Sequence, residues 1–146
     1  MNLRGLDCFK KVNFLWVTRK DLEEVTGGLG FEKRVKEHGM IVRDWVDQWE
    51  ILSHKSVKGF LSHCGWNSAQ ESICAGVPLL AWPMMAEQPL NAKLVVEELK
   101  IGVRIETEDV SVKGFVTREE LSRKVPYIYP FMFPSFVLIG VMHILE

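Results

Sequence analysis

The sequence predicts an α/β fold in which a parallel β-sheet carries helices on both faces. Short apolar stretches rich in β-branched and aromatic residues alternate with helix-like stretches, which is the pattern of a parallel sheet. The chain has 146 residues, enough for one ordinary domain with a core, and 25% of them are charged, as in globular proteins. The elements follow one another closely, with no internal repeat or long linker.

The first half of the chain predicts two strands and two helices. Val12–Val17 and Gly39–Val42 are short apolar runs, typical of buried strands. Between them, TGGLG is expected to form a loop and FEKRVKE a charged helix. A short helix is predicted over Asp47–Leu52, where Asp47 and Glu50 have the spacing of a capping box.

The second half continues the alternation of strands and helices. Gly76 is expected to end one helix, and Leu90, Leu94 and Val95 share the spacing of another. Trp82, like Trp16 earlier in the chain, is expected in the core. The predicted strands are Gly59–His63, Pro78–Trp82 and Gly102–Ile105; the predicted helices are Asn67–Ala75, Pro89–Leu99 and one opened by a Thr117–Glu120 capping box whose carboxylates are expected in solvent.

The stretch SHCGWNSAQE holds the densest group of polar side chains. His63 ends a predicted strand, Gly65 turns the chain, and Asn67 or Ser68 begins a helix. Parallel sheets bind ligands beyond the carboxyl ends of their strands, and a helix N-terminus favours a phosphate. Ser68 and Glu71 also have capping-box spacing, so a helix cap and a diphosphate site both remain open, alone or together.

Several other site types are disfavoured by the sequence. A net charge of −1 argues against a nucleic-acid partner bound through a basic surface. The three cysteines form no CxxC pair and fit reduced thiols better than disulfides or a zinc site. His63 and Cys64 are adjacent, so their side chains would diverge on a strand, and TGGLG lacks dinucleotide-binding spacing. No secretory signal is recognised at the start.

The segment from Pro126 onward is atypical, because it contains no Asp, Glu, Lys or Arg before Glu146. About twenty apolar residues span a bilayer as a helix, so the run is near that threshold. Pro126, Pro130 and Pro134 each remove a helical hydrogen-bond donor, which disfavours a membrane helix. We expect residues 126–146 to be an apolar tail, either packed, disordered or derived from altered splicing or a frameshift.

The stretch from Trp45 to Gln88 resembles the signature box of plant UDP-dependent glycosyltransferases that act on small secondary metabolites. The flanking stretches NFLWVTR and PLNAKLVVEELKIGVRI resemble the strand before that box and the helix and strand after it, so the resemblance covers residues 12–125. The residues that carry it are Trp45, Gln48, Leu52, His54, Gly59, Phe60, His63, Gly65, Trp66, Asn67, Ser68, Glu71, Gly76, Val77, Pro78, Trp82, Pro83, Glu87 and Gln88.

This resemblance implies a Rossmann-like domain, the C-terminal half of a GT-B enzyme, with UDP-glucose as donor substrate. In it, Trp45 is expected to stack on the uracil and the backbone of Val46 to hydrogen-bond it. A terminal Gln in the box implies glucose rather than galactose. The other implied contacts are Gln48 and Glu71 with the ribose, His63, Asn67 and Ser68 beside Gly65 with the diphosphate, and Trp66, Glu87 and Gln88 with the sugar.

For the complete enzyme, the resemblance implies inverting transfer of glucose to a hydroxyl of a small acceptor such as a flavonoid. The expected setting is the cytoplasm, with no metal or cofactor. The family's catalytic base is a histidine of the N-terminal acceptor domain, and no histidine precedes His38 here. We therefore expect a donor-binding domain at residues 1–125, no acceptor domain, no catalytic residue, and little or no activity of this chain alone.

Two points remain open at this stage. A non-catalytic UDP-sugar-binding or enzyme-associating module is the alternative function. The family also usually has proline where this chain has Asp47. Since aspartate can cap a helix, the fold is expected to survive, while the added charge is expected to weaken nucleotide binding.

Overall fold

A computed structural model of the chain describes residues 12–18, 30–107, 116–128 and 137–142. Within these residues, six strands form one sheet. In chain order the elements are β1 (Asn13–Thr18), α1 (Phe31–Val35), β2 (Gly39–Val42), α2 (Gln48–Leu52), β3 (Val57–Ser62), α3 (Trp66–Ala75), β4 (Leu79–Ala81), α4 (Gln88–Lys93) continued by a π-helical turn (Leu94–Glu98), β5 (Gly102–Arg104), α5 (Arg118–Ile128) and β6 (Val137–Met142).

Every pair of neighbouring strands in the sheet is parallel, and their order is β2-β1-β6-β3-β4-β5. The chain steps outward from β1 to β2, and from β3 it steps the opposite way through β4 to β5. The direction therefore reverses between β1 and β3, the position beside which open α/β sheets bind ligands. This arrangement confirms the predicted parallel sheet.

Hydrophobic side chains are buried on both faces of the sheet, because successive side chains along a strand point to opposite sides. Trp16 and Trp82 are 4% and 3% exposed and pack together with Val35 of α1 and Leu121 of α5, which confirms both tryptophans as core residues. The opposite face is covered by α2, α3 and the π-helical turn. Its buried residues are Val17, Leu52, Val57, Phe60, Ala69, Val77, Leu79 and Val95.

Strand β6 lies in the stretch that was expected to be an apolar tail, of which residues 129–136 and 143–146 lie outside the described part of the structure. It lies between β1 and β3, with Gly140 opposite both Trp16 and Leu61. Its sequence, VLIGVM, is a short apolar run of the kind found in strands paired on both edges. Among the described residues, no helix is long and apolar enough to cross a membrane.

Helix α4 and its π-helical continuation occupy the predicted helix and bury one stripe of residues. Gln88, Ala92 and Val95 are buried, and their spacing of four and three residues makes one stripe along the helix. Leu90 is offset from that stripe by two residues and is 71% exposed. Of the residues at the predicted helical spacing, Val95 is therefore buried and Leu90 is exposed.

Helix α5 begins as predicted but buries a carboxylate. The Thr117 hydroxyl accepts a hydrogen bond from the Glu120 backbone N–H at 3.2 Å, which confirms the cap. The helix continues through Pro126, which lies exposed in its last turn. Glu120 is 9% exposed and its carboxylate accepts from the Glu106 backbone N–H at 3.0 Å, so it ties α5 to the sheet and is not in solvent as expected.

Candidate nucleotide-sugar site

The predicted site lies in the loop that joins β3 to α3 at the carboxyl edge of the sheet. Strand β3 ends at Ser62, so His63 is the first loop residue and not the last strand residue as predicted. Helix α3 begins at Trp66, one residue before the earliest predicted start. The loop thus consists of His63, Cys64 and Gly65, directly beside the reversal of strand order.

Gly65 is the N-cap residue of α3, and no side chain caps the helix there. The hypothesis that Ser68 and Glu71 form a capping box is therefore wrong, because both lie inside the helix. A Cβ atom at Gly65 would come within 2.4 Å of His63 Nε2, so the imidazole lies directly against the glycine. Gly65 has no side chain to cap the first N–H groups of α3, and the N–H groups at a helix start favour an anion.

Ser68 and Glu71 instead meet Gln48, which lies 20 and 23 residues earlier in the chain. Gln48 Nε2 donates to Ser68 Oγ at 3.2 Å and to Glu71 Oε2 at 2.7 Å. The contact joins the start of α2 to the first turns of α3. A carboxylate has two oxygens with several acceptor positions, so Glu71 keeps capacity for a further donor such as a ribose hydroxyl.

Helix α2 is held by Asp47 in the predicted way. The Asp47 carboxylate accepts from the Glu50 backbone N–H at 3.0 Å, which confirms it as the N-cap. Immediately before it, Val46 is half-buried against the core, whereas Trp45 is 70% exposed. The anchored backbone therefore presents the Trp45 indole at the surface, beside the start of the helix that carries Gln48.

The predicted sugar contacts differ in their surroundings. Gln88 is 6% exposed, and its Oε1 accepts from the backbone N–H groups of Met84 and Met85 at 2.9 and 3.1 Å. This bond pair holds the loop between β4 and α4 and leaves the Gln88 amide N–H groups as donors. Glu87 precedes it and is exposed. At the start of α3, Trp66 is 46% exposed and Asn67 is exposed.

Cys64 is not a nucleophile in this arrangement. Its side chain is fully buried, and burial raises the pKa of the Cys64 thiol to about 12, despite opposing contributions from the Trp82 backbone and Arg104. The thiol therefore stays protonated at neutral pH. In the described parts of the chain, no group of three or more His, Cys, Asp or Glu residues lies together as a metal site would require.

One residue near the site was missed by sequence reasoning. Asn91 of α4 donates from Nδ2 to the backbone carbonyl of Cys64 at 3.0 Å, across 27 residues of sequence. An amide at this position has no local signal, because its partner is a backbone atom of a distant loop. A separate groove of about 370 Å³, lined by residues including Gly76, Ile101 and Tyr127, lies at the amino ends of β4 and β5, away from this site.

Comparison with known proteins gives a consistent result. The family model described as "UDP-glucoronosyl and UDP-glucosyl transferase" matches residues 26–121. The chain is 84% identical over 115 residues to UDP-glycosyltransferase 90A1 of Arabidopsis thaliana, covering 79% of this chain and 24% of that protein. It is 44% identical to anthocyanidin 5,3-O-glucosyltransferase of a Rosa hybrid cultivar, covering 77% of this chain and 25% of that protein.

Solved structures agree with these relatives. Os79 from O. sativa, in complex with U2F and trichothecene, superposes with a TM-score of 0.75 at 37% identity, over 86% of this chain and 28% of Os79. UGT2 of Phytolacca americana, complexed with UDP-2fluoro-glucose and pterostilbene, has a TM-score of 0.71 at 39% identity, over 84% and 28%. The chain thus spans about a quarter of the length of the curated relatives it matches. The predicted GT-B, Rossmann-like fold class is confirmed.

Proposed function

Because the chain belongs to the UDP-glucoronosyl and UDP-glucosyl transferase family, we propose that it binds UDP-glucose around the first turns of α3. The observation that carries the proposal is the pair of hydrogen bonds from Gln48 to Ser68 and Glu71. They bring a carboxylate, an amide and a hydroxyl together beside a helix start at the reversal of strand order. That combination suits a ligand with both a vicinal diol and a diphosphate.

The diphosphate is proposed to lie against the loop between β3 and α3. The N–H groups at the start of α3 supply a partial positive charge, and His63, Asn67 and Ser68 add side-chain donors. The close approach of His63 to Gly65 supports this assignment, since only glycine leaves room for the imidazole there. We propose that these donors neutralise the diphosphate without a metal ion.

The nucleoside and the sugar occupy the two sides of that loop in this proposal. Trp45 stacks on the uracil, the backbone of Val46 hydrogen-bonds it, and Gln48 and Glu71 bind the ribose hydroxyls. Trp66, Glu87 and Gln88 contact the glucose. The exposure of Trp45 and Trp66 supports these roles, because an aromatic face at the surface is available to a ring.

In the complete enzyme, the proposed reaction is transfer of glucose with inversion to a hydroxyl of a small phenolic acceptor such as a flavonoid. The acceptor oxygen attacks the anomeric carbon while the bond from that carbon to the diphosphate oxygen breaks. A base from an acceptor domain takes the hydroxyl proton, and UDP leaves. The donors around the diphosphate would stabilise the charge that develops on UDP, which lowers the barrier. The proposed location is the cytoplasm.

A UDP titration tests the donor site directly. We expect UDP to raise the thermal unfolding midpoint of the 146-residue chain and to bind measurably by calorimetry. Glu71→Ala should weaken binding roughly tenfold or more, because a charged hydrogen-bond acceptor is lost. Gln70→Ala is the matched control, since Gln70 is the exposed neighbour on the same helix. No stabilisation of the unmodified chain at saturating UDP would overturn the proposal.

Turnover separates the enzyme from the non-catalytic alternative. The 146-residue chain with UDP-glucose and a panel of phenols is expected to show no turnover, since a general base alone contributes roughly 10²–10⁴-fold. Fusion behind the acceptor domain of a relative should then produce transfer. Intact UDP binding without transfer by that fusion would favour the non-catalytic module. Turnover by the unfused chain would contradict the assignment of the base to another domain.

A further inference from the structure

We infer that Asn91 is a positioning residue. It holds the loop of His63, Cys64 and Gly65, here called the diphosphate loop, in the conformation that binds the ligand. This inference rests on the function proposed above and concerns the backbone of Cys64. Cys64 has a φ angle of +64°, in the left-handed region that residues with a Cβ rarely adopt. The neighbouring structure must therefore hold it there.

Both peptide groups that flank the Cys64 side chain are held by side chains. On one side, the Ser62 hydroxyl accepts from the Cys64 N–H at 3.1 Å. On the other side, Asn91 Nδ2 donates to the Cys64 carbonyl oxygen at 3.0 Å. The first bond is local, since Ser62 ends the strand that feeds the loop. The bond from Asn91 comes from α4, 27 residues away in sequence, and is therefore a tertiary contact.

The conformation of Cys64 decides where α3 begins and what its first N–H groups face. Directly after Cys64 the chain passes through Gly65, against which His63 lies, and Gly65 accepts from the Ala69 N–H at 3.0 Å to start the helix. If Cys64 left the left-handed region, the following N–H groups and His63 would no longer converge. Asn91 is proposed to act on the ligand only indirectly, by holding the Cys64 carbonyl and with it the loop.

Cys64 and Asn91 should be energetically coupled in UDP binding, because both attach the loop to the same helix. The Cys64 side chain is buried with Ala81, Ala92 and partly buried Val96, so it packs on α4 and its π-helical turn, the elements that present Asn91. The packing of the Cys64 side chain and the hydrogen bond to its carbonyl thus both attach the loop to α4 and its π-helical turn. A glycine at position 64 would adopt the left-handed conformation without strain and need less holding.

The test compares UDP with uridine as ligands of the full 146-residue chain. Uridine lacks the diphosphate, so loss of loop positioning should spare it. We expect Asn91→Ala to weaken UDP binding roughly tenfold, the effect of about one hydrogen bond, and to change uridine binding less than about twofold. Both affinities are measured by NMR titration, with Leu90→Ala as the matched control on the exposed side of α4.

Asn91→Asp, which keeps the size of the side chain but cannot donate when ionised, should show the same selective loss. In a Cys64→Gly background, Asn91→Ala should cost a smaller factor in UDP affinity than in the unmodified chain. Equal loss of UDP and uridine, or no loss of UDP, would overturn the inference. So would failure of both Asn91 variants to fold while Leu90→Ala folds, because Asn91 would then be a core residue.

These outcomes are distinct from failure of the proposed function. If the unmodified chain binds neither UDP nor uridine, the donor site itself is refuted, and the positioning role with it. If the unmodified chain binds UDP and the Asn91 variants bind it equally well, the donor site stands and only the positioning role is lost.

Discussion

The stretch 45–88 and the strand β6 lie side by side in the fold but depend on the sequence in different ways. The stretch 45–88 falls within the family match and carries every predicted donor contact, whereas β6 lies outside that match. Yet β6 pairs directly with β3, the strand that leads into the loop proposed to bind the diphosphate. The proposed site residues therefore come from one stretch of sequence, whereas the strand that leads into their loop pairs with a strand outside that stretch.

The position of β6 gives this dependence a physical reason. In the common doubly wound order, the position between the two oppositely growing halves of the sheet belongs to the first strand of the chain. Here β6, the last described strand, occupies it and pairs with β1 and β3. An unfilled position would leave the backbone groups of both neighbours without partners, which is costly in a buried sheet.

Removing β6 is expected to have the largest effect, because it takes away the strand that lies between β1 and β3. A chain that ends after residue 136 should lose cooperative thermal unfolding and UDP binding together. The free energy lost with a strand that is paired on both edges is expected to be comparable with the whole stability of a domain, about 5–15 kcal/mol. A chain that ends after Met142 is the control and should unfold like the full chain. Unchanged unfolding of the shorter chain would show that β6 is dispensable.

Gln48→Ala should weaken UDP binding while leaving most of the stability of the fold in place. Loss of its bonds to Ser68 and to the charged Glu71 should weaken UDP binding roughly tenfold, while the free energy of unfolding falls by about 1–2 kcal/mol. Glu50→Ala, on the same helix with an exposed side chain, is the matched control. If Gln48→Ala keeps full UDP affinity in calorimetry, the contacts of Gln48 do not contribute to UDP binding and the proposed site loses its main support.

Glu120 lies outside the proposed site and makes the stability of the fold depend on pH. Burial opposes its ionisation, but hydrogen bonds from Arg123 and the Glu106 backbone and the charge of Lys124 hold the pKa of Glu120 below its usual value. Because the folded-state pKa is depressed, this stabilisation is complete above the unfolded pKa of about 4.3 and is lost as pH falls through the folded pKa.

Glu120→Gln should therefore reduce the free energy of unfolding by about 1–2 kcal/mol at pH 7 and flatten its decline below about pH 4.3. Urea unfolding across pH measures both effects. Glu119→Gln is the control, since Glu119 is the exposed neighbour in the first turn of α5. Parallel acid profiles of the unmodified chain and Glu120→Gln would contradict the assignment.

Asp47→Pro is expected to have the smallest effect. The change removes the Asp47 cap, worth about 1 kcal/mol, but the φ angle of −76° suits proline, which stabilises by about 0.4–1 kcal/mol through the unfolded state. Stability should change by less than about 1 kcal/mol, and UDP affinity should rise slightly as a negative charge is lost. Asp47→Ala, which lacks both features, should lose about 1 kcal/mol in urea unfolding.

The residues that sequence reasoning placed correctly share a local cause. Asp47 and Thr117 cap helices through bonds to residues three positions later, and Gly76 ends α3 in the left-handed conformation. Trp16 lies in an apolar run and is buried. In each case the decisive neighbour is close in sequence or is simply the core, so spacing and hydrophobicity suffice.

The residues that sequence reasoning misplaced have distant partners. Ser68 and Glu71 have capping-box spacing, but Gly65 starts the helix and Gln48 takes both side chains as partners. Glu120 meets a backbone N–H fourteen residues away, although its carboxylate was expected in solvent. Spacing within one helix cannot reveal which competing partner a polar group will find in the folded chain.

Local pattern and residue type were therefore enough to predict the fold class, the family and the side chains proposed to bind a UDP-sugar. Only the folded chain shows that Gln48 joins Ser68 to Glu71, that Asn91 holds the Cys64 carbonyl, and that β6 enters the middle of the sheet. Each of these joins atoms distant in sequence. Their formation depends on how the whole sheet packs, which no short stretch of sequence encodes.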